Sequence, residues 1–184
     1  MQSYKTKDLP EDLKQEMLKH NKYEQHNIAE HYNETASKYE AVYLTAGFHD
    51  PLKCAELAKE VVGDSCVDAK VIDFGCGTGL VGKYLNERGF KYIDGIDASP
   101  GMIEQARSKH VYTNLHEMYL GKPESFPTHF HGQYDCVTGS GILAEGHLDI
   151  TVFDEMLLCL KTGGFAVFST RTEYLTKYGY GDKI

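Results

Sequence analysis

The sequence lacks the cysteine patterns of disulfide-stapled domains and of zinc sites. Its five cysteines are odd in number and widely spaced, and no two of them form a Cys-x-x-Cys pair. Small secreted domains and structural zinc sites both depend on such patterns. We therefore expect no metal site and a reducing compartment, the cytoplasm.

Long apolar runs are also missing. No run approaches the roughly 18 residues that a membrane-spanning helix needs. The first thirty residues alternate Lys, Asp and Glu, without the apolar stretch of a signal peptide. Neither a membrane span nor a signal peptide is expected from this pattern.

Positive charge is scarce. The chain of 184 residues has 19 Lys and Arg against 27 Asp and Glu, a net charge of -8. An acidic surface repels phosphate groups, so no nucleic-acid partner is expected. The length and the apolar fraction of 41% are those of one folded domain.

Short apolar runs alternate with helical patterns along most of the chain. The runs expected to form strands are 71–74, 92–96, 116–120, 134–138 and 164–169. Strands separated by helices form a mostly parallel, doubly wound sheet with helices on both faces. The sequence therefore predicts an α/β, Rossmann-like fold.

Three regions follow from this pattern. Residues 1–48 are polar and helix-favouring and are expected to form an N-terminal helical arm, or lid. Residues 49–172 hold the alternating pattern and form the core. Residues 173–184 are expected to be a polar C-terminal tail.

A glycine-rich turn follows the first strand. Gly75, Gly77 and Gly79 alternate with other residues after Val71-Ile72-Asp73-Phe74. Glycine allows a sharp turn and a close approach of the backbone to a ligand. Asp97 ends the second predicted strand, where a carboxylate can accept both hydroxyls of a ribose. The two features together predict a cofactor that carries a nucleoside.

The turn fits two classes of cofactor. Residues 77–82 also match the Gly-x-Gly-x-x-Gly fingerprint of dinucleotide-binding proteins. Asp73 disfavours that class, since a carboxylate just before the turn would repel a pyrophosphate but can hold an ammonium group. An NAD-dependent oxidoreductase is the less favoured alternative.

The same residues resemble a known family. The segments 73–79 and 95–99, with Met102, are similar to those of the class I S-adenosylmethionine-dependent methyltransferases. Within that family the chain most resembles the methyltransferase-like proteins of the Williams–Beuren syndrome chromosome region, in residues 98–102, 161–164 and 170–172.

The resemblance implies a role for each matching residue. Asp73 would pair with the methionyl ammonium of S-adenosylmethionine, Asp97 would hold the ribose, and Ala98 and Met102 would flank the adenine. The remaining cofactor-binding residues are expected in the glycine turn and in the loop after the fourth strand. They are Gly75, Cys76, Gly77, Thr78, Gly79 and Ser140.

No catalytic residue is required, because the methyl group of a sulfonium is already activated and in-line positioning suffices. Two candidates are Tyr39, in an arm segment similar to one that folds over the cofactor in the family, and His147, a potential general base. Alternatively, Tyr39 packs against other tyrosines of the arm. The alternative for His147 is that it is a surface residue without a catalytic role.

The family fold usually continues through two more strands after the fifth, and these are absent from this sequence. We expect the outer edge of the fifth strand to favour self-association. The sequence predicts a methyltransferase. The expected methyl acceptor is a small molecule, with a protein side chain as the second choice, and its identity is unknown. The alternatives are a non-catalytic S-adenosylmethionine-binding adaptor and a truncated isoform.

Overall fold

The computed structural model describes residues 10–20, 28–144 and 147–183. The helices are α1 (Glu11–His20), α2 (Ile28–Thr45), α3 (Asp50–Val62), α4 (Leu80–Glu87), α5 (Pro100–Arg107), α6 (Val152–Cys159), α7 (Thr172–Lys177) and α8 (Tyr180–Lys183). The strands are β1 (Lys70–Phe74), β2 (Tyr92–Asp97), β3 (Asn114–Glu117), β4 (Tyr134–Leu143) and β5 (Leu160–Thr170). The expected arm includes residues 1–9 and 21–27, which lie outside the described residues.

The five strands form one parallel sheet in the order β3-β2-β1-β4-β5. The expected doubly wound α/β fold is confirmed. Strand order reverses between β1 and β4, where Asp73 pairs in register with Gly95 on one side and Thr138 on the other. Ligands of such sheets bind outside the carboxyl ends of the strands at this reversal.

The central strand β1 is buried on both faces. Val71, Ile72 and Phe74 have no exposed surface, as expected for a parallel strand covered by helices on both sides. One apolar cluster contains Phe74, Phe153 and Met156 and lies under α6. A second contains Ala58, Val71 and Leu85 and lies under α3 and α4.

The C-terminal segment differs from the polar tail expected over 173–184. It forms α7 and α8, and the side chains of Tyr174 and Tyr180 are buried in the core. The Tyr180 hydroxyl donates a hydrogen bond to the Leu148 carbonyl at 2.9 Å. A tyrosine can bury its ring while its hydroxyl finds a polar partner, so the average polarity of a segment is a poor guide to its packing.

The described parts of the chain contain no helix long and apolar enough to cross a membrane. Among the same residues, no group of three or more His, Cys, Asp or Glu side chains could hold a metal ion. All five cysteines are buried free thiols.

Strand β5 pairs with β4 along one edge, and within the described ranges no strand pairs with its other edge. Phe165 on this strand is 43% exposed. Unpaired N–H and C=O groups next to exposed apolar side chains favour pairing with another chain.

We therefore predict that the protein self-associates as its concentration rises, and that Phe165→Lys weakens this association, because a lysine on an edge strand opposes strand pairing. Light scattering over a concentration series measures the effect. Leu157→Lys is the matched control, since Leu157 is also exposed (64%) but lies on α6. A monomer at every concentration, or an equal effect of both substitutions, would contradict the prediction.

Candidate cofactor-binding site

A cavity of about 440 Å³ lies at the carboxyl ends of the strands. Its walls are the glycine turn after β1, the end of β2, the loop after β3, and the end of β4 with the loop that follows it; α2 lies over the cavity. The size falls within the range of small-molecule and cofactor pockets. Ser140, expected in the loop after the fourth strand, lies within β4, because this strand continues to Leu143.

The structure brings most of the site residues expected from the sequence to this cavity. Those that line it are Tyr39, Gly75, Gly77, Asp97, Ala98, Met102, Ser140 and His147. The others are buried beside or beneath the turn and are absent from the lining: Asp73, Cys76, Thr78 and Gly79.

The glycine turn requires its glycines for both conformation and space. Gly75 and Gly77 have φ angles of +61° and +54°, in the left-handed region. A Cβ atom on Gly75 would overlap the side chain of Ile142. The Cys76 N–H donates to the Ile96 carbonyl at 2.9 Å and so joins the turn to β2. The wall at Gly75 and Gly77 is therefore bare backbone that a ligand can approach closely.

Asp97 connects the turn with the start of α5. Its two carboxylate oxygens accept hydrogen bonds from the Gly77 and Ser99 N–H groups, each at 2.9 Å. Burial raises the pKa of Asp97, and the N–H groups of Ser99, Gly77 and Ala98 oppose that shift. A carboxylate has about four lone-pair positions, so Asp97 retains acceptor capacity toward the cavity. These acceptor positions fit the two hydroxyls of a ribose.

Asp73 lies directly before the glycine turn, at the end of β1. Its carboxylate is fully buried and accepts hydrogen bonds from the hydroxyls of Thr138 and Tyr112, each at 2.8 Å. Burial raises the pKa of Asp73 to about 7, although both hydrogen bonds lower it. Asp73 thus joins β1 to Thr138 of β4 and to Tyr112. Its contact with a methionyl ammonium stays a prediction.

Tyr112 is a structural residue of the site that the sequence reasoning missed. Its hydroxyl donates to Asp73 and accepts from the Gly82 N–H at 3.1 Å. A Cβ on Gly82 would overlap the Tyr112 ring. The last glycine of the apparent dinucleotide fingerprint is therefore explained by packing against Tyr112.

Helix α2 contributes a row of aromatic rings to the cover of the cavity. The Tyr32 hydroxyl and His147 Nε2 are hydrogen-bonded at 2.8 Å. The rings of Tyr32 and Tyr39 lie 6.0 Å apart, and those of Tyr39 and Tyr43 4.4 Å. The alternatives left open for Tyr39 thus coexist: it packs against other tyrosines and also lines the cavity.

The arm is also attached to α5. The Gly101 N–H donates to Asn33 Oδ1 at 2.7 Å, and Lys109 forms an ion pair with Glu40. A Cβ on Gly101 would lie 2.6 Å from Asn33 Oδ1. Because Gly101 adjoins Met102 in the cavity wall, this attachment places α2 directly next to the cavity.

The loop after β3 is held from the other side of the cavity. The buried carboxylate of Glu155 accepts hydrogen bonds from the N–H groups of Gly121 and Lys122 at 2.8 and 2.7 Å. These bonds hold the segment 118–120, which lines the cavity. No local sequence pattern predicts this contact, since Glu155 is 33 residues from Lys122.

Comparison with known proteins agrees with this geometry. A model of the methyltransferase domain family matches residues 71–164. Human methyltransferase-like protein 27 is 31% identical over 141 residues, which cover 77% of this chain and 56% of that protein. Malonyl-[acyl-carrier protein] O-methyltransferase of Serratia marcescens is 28% identical over 148 residues, covering 75% and 55%. The family resemblance noted in the sequence is confirmed.

The fold also resembles solved structures. A complex of DhpI with SAH matches with a TM-score of 0.59 and 21% identity, over 81% of this chain and 71% of that chain. The similarity at this identity concerns the fold, and it agrees with the sheet topology described above.

The buried Asp73 carboxylate predicts a pH-dependent stability difference between the protein and Asp73→Asn. Because the pKa of Asp73 is raised to about 7 on folding, its stabilising contribution is full below the unfolded pKa near 4 and is lost as pH rises through about 7. The destabilisation caused by the substitution should therefore shrink by roughly 1 to 3 kcal/mol between about pH 5 and pH 8.

Urea unfolding at several pH values measures this difference. Asp68→Asn, which removes a carboxylate at an exposed position, should show no comparable change with pH. A destabilisation by Asp73→Asn that stays constant or grows as pH rises would contradict the assigned environment.

Asn33 and Gly101 provide a second prediction, on the docking of the arm. Asn33→Ala removes one hydrogen bond and Gly101→Ala places a methyl group against Asn33, so both should release α2. Cleavage by trypsin at Lys38 in α2 should accelerate about two- to tenfold, the range expected for one hydrogen bond. Glu104→Ala, at an exposed position of α5, is the control and should cleave at the original rate. Unchanged cleavage in both arm variants would refute this attachment.

Proposed function

Because the chain belongs to the methyltransferase domain family of S-adenosylmethionine-dependent enzymes, we propose that it transfers a methyl group from S-adenosylmethionine to a small polar acceptor. The observation that carries the proposal is the Asp97 carboxylate, which borders the cavity while two backbone N–H groups fix its orientation. The chain spans about half the length of the curated relatives it matches.

When bound, S-adenosylmethionine would supply a methyl group activated by its sulfonium, open to in-line attack at carbon with the neutral thioether as the leaving group. The residues of this chain serve binding and orientation. Asp97 would accept hydrogen bonds from the ribose hydroxyls, and Ala98 and Met102 would contact the adenine. The bare backbone at Gly75 and Gly77 would border the remaining part of the cofactor. Ser140 lines the cavity from the carboxyl-terminal half of β4.

The arm would exclude water from the reacting groups. Helix α2 covers the cavity and is attached both to His147 and to Gly101. Tyr39 and His147 both line the cavity, so either can meet an acceptor there. Exclusion of water strengthens the electrostatic interactions within a site.

We also propose a reducing compartment, the cytoplasm, for this activity. The support is that all five cysteines are buried free thiols, which is the usual state of cysteine in a reducing environment. Burial raises the pKa of Cys54, Cys136 and Cys159 to about 12. Such thiols carry little thiolate and react slowly.

Calorimetric titration with S-adenosylmethionine, S-adenosylhomocysteine and NAD tests the proposed cofactor. The first two should bind more tightly than NAD. Asp97→Asn should weaken their binding by about 2 kcal/mol, because hydrogen bonds to a charged group contribute about 1.5–3 kcal/mol each and are not additive.

Asp94→Asn is the matched control. It removes the same charge from β2, but Asp94 bonds to Tyr134 and Asn114 and does not line the cavity. Tighter binding of NAD, or equal losses in the two variants, would overturn the proposal. Binding of S-adenosylmethionine without any conversion to S-adenosylhomocysteine in the presence of candidate acceptors would favour the non-catalytic adaptor.

A further inference from the structure

We propose that the acceptor is an amine that enters the cavity as its ammonium form. This inference rests on the proposed function, because it concerns the part of the same cavity that the cofactor-binding residues do not form. The carboxylate and the aromatic rings contributed by α2 are the groups that would recognise it.

The charged side chains that line the cavity within the described residues are acidic. Glu30 and Asp97 contribute carboxylates, and none of the described lining residues is Lys or Arg. Asp97 belongs to the end of the cavity assigned to the ribose, whereas Glu30 lies on α2. The net charge of -8 adds a long-range potential that favours cations. A carboxylate or phosphate acceptor would find no described cation to pair with at the wall.

Aromatic rings also line the cavity. Tyr32 and Tyr39 come from α2, and Tyr119 from the loop after β3. Tyrosine rings attract cations through the negative potential of their faces, and clusters of such rings are a common means of binding ammonium groups. A cavity lined by both a carboxylate and several tyrosines discriminates in favour of an ammonium more sharply than either feature alone.

The cavity also holds a group that can take up a proton. An ammonium must lose one proton before its nitrogen lone pair can attack a methyl carbon. His147 lines the cavity, and its Nε2 atom is hydrogen-bonded to the Tyr32 hydroxyl at 2.8 Å. Histidine is the side chain whose ordinary pKa best suits this transfer near neutral pH. The proton released by the acceptor would thus pass to the imidazole of His147.

The test compares three probes of similar skeleton: phenethylamine, phenylacetate and 2-phenylethanol. Their binding is measured by calorimetry at low ionic strength on protein saturated with S-adenosylhomocysteine, whose neutral thioether removes any contribution from the cofactor's sulfonium charge. Phenethylamine should bind at least about tenfold more tightly than phenylacetate, a difference of about 1.4 kcal/mol. 2-Phenylethanol should fall between them.

Substitutions then test whether the preference for the amine over the carboxylate depends on residues that line the cavity. Glu30→Gln should reduce the amine-to-carboxylate ratio at least about threefold, since it removes the carboxylate and keeps the size. Glu34→Gln is the matched control, because Glu34 is exposed on the same helix and does not line the cavity; it should leave the ratio unchanged. Tyr39→Leu should weaken amine binding, whereas Tyr39→Phe, which keeps the ring, should preserve it.

Phenylacetate binding as tightly as phenethylamine, no detectable binding of phenethylamine, or equal effects of Glu30→Gln and Glu34→Gln would each overturn the inference. Failure of S-adenosylhomocysteine to bind would instead reject the proposed function, and this inference with it. The two failures are therefore distinguishable.

Discussion

The site depends on the convergence of two backbone N–H groups on the Asp97 carboxylate. Gly77 belongs to the turn after β1, and Ser99 is the N-cap residue of α5, so the Asp97 side chain connects the ends of two adjacent strands. The same carboxylate faces the cavity, where its remaining lone pairs are available to a ligand. One residue thus fixes the shape of the wall and presents the polar group for recognition.

The cover of the cavity depends on the same segment. The Gly101 N–H holds Asn33 of α2, and Met102 next to it lines the cavity. A substitution at the start of α5 would therefore alter both the cavity wall and the position of α2. The buried Asp73 carboxylate of β1 accepts hydrogen bonds from the hydroxyls of Thr138 and Tyr112 and is absent from the cavity lining.

The sequence predicts those parts of the site whose conformation is determined by a few neighbouring residues. The conformations of Gly75 and Gly77 and the position of Asp97 at a strand end follow from short segments, and the alternation of strands and helices predicts which strand ends meet. The contact between Asp73 and Tyr112 was not predicted, because the two residues lie 39 positions apart in the sequence. The contact between Asn33 and Gly101 spans 68 residues, and neither residue carries a pattern that predicts it. The C-terminal segment was misjudged because its composition is polar although Tyr174 and Tyr180 are buried.

A crystal structure of the protein with S-adenosylhomocysteine tests the central claim most directly. The account predicts that both ribose hydroxyls lie within hydrogen-bonding distance of the Asp97 carboxylate, that the adenine lies beside Met102, and that α2 covers the ligand. A ligand bound outside this cavity, or a ribose that makes no contact with Asp97, would contradict it.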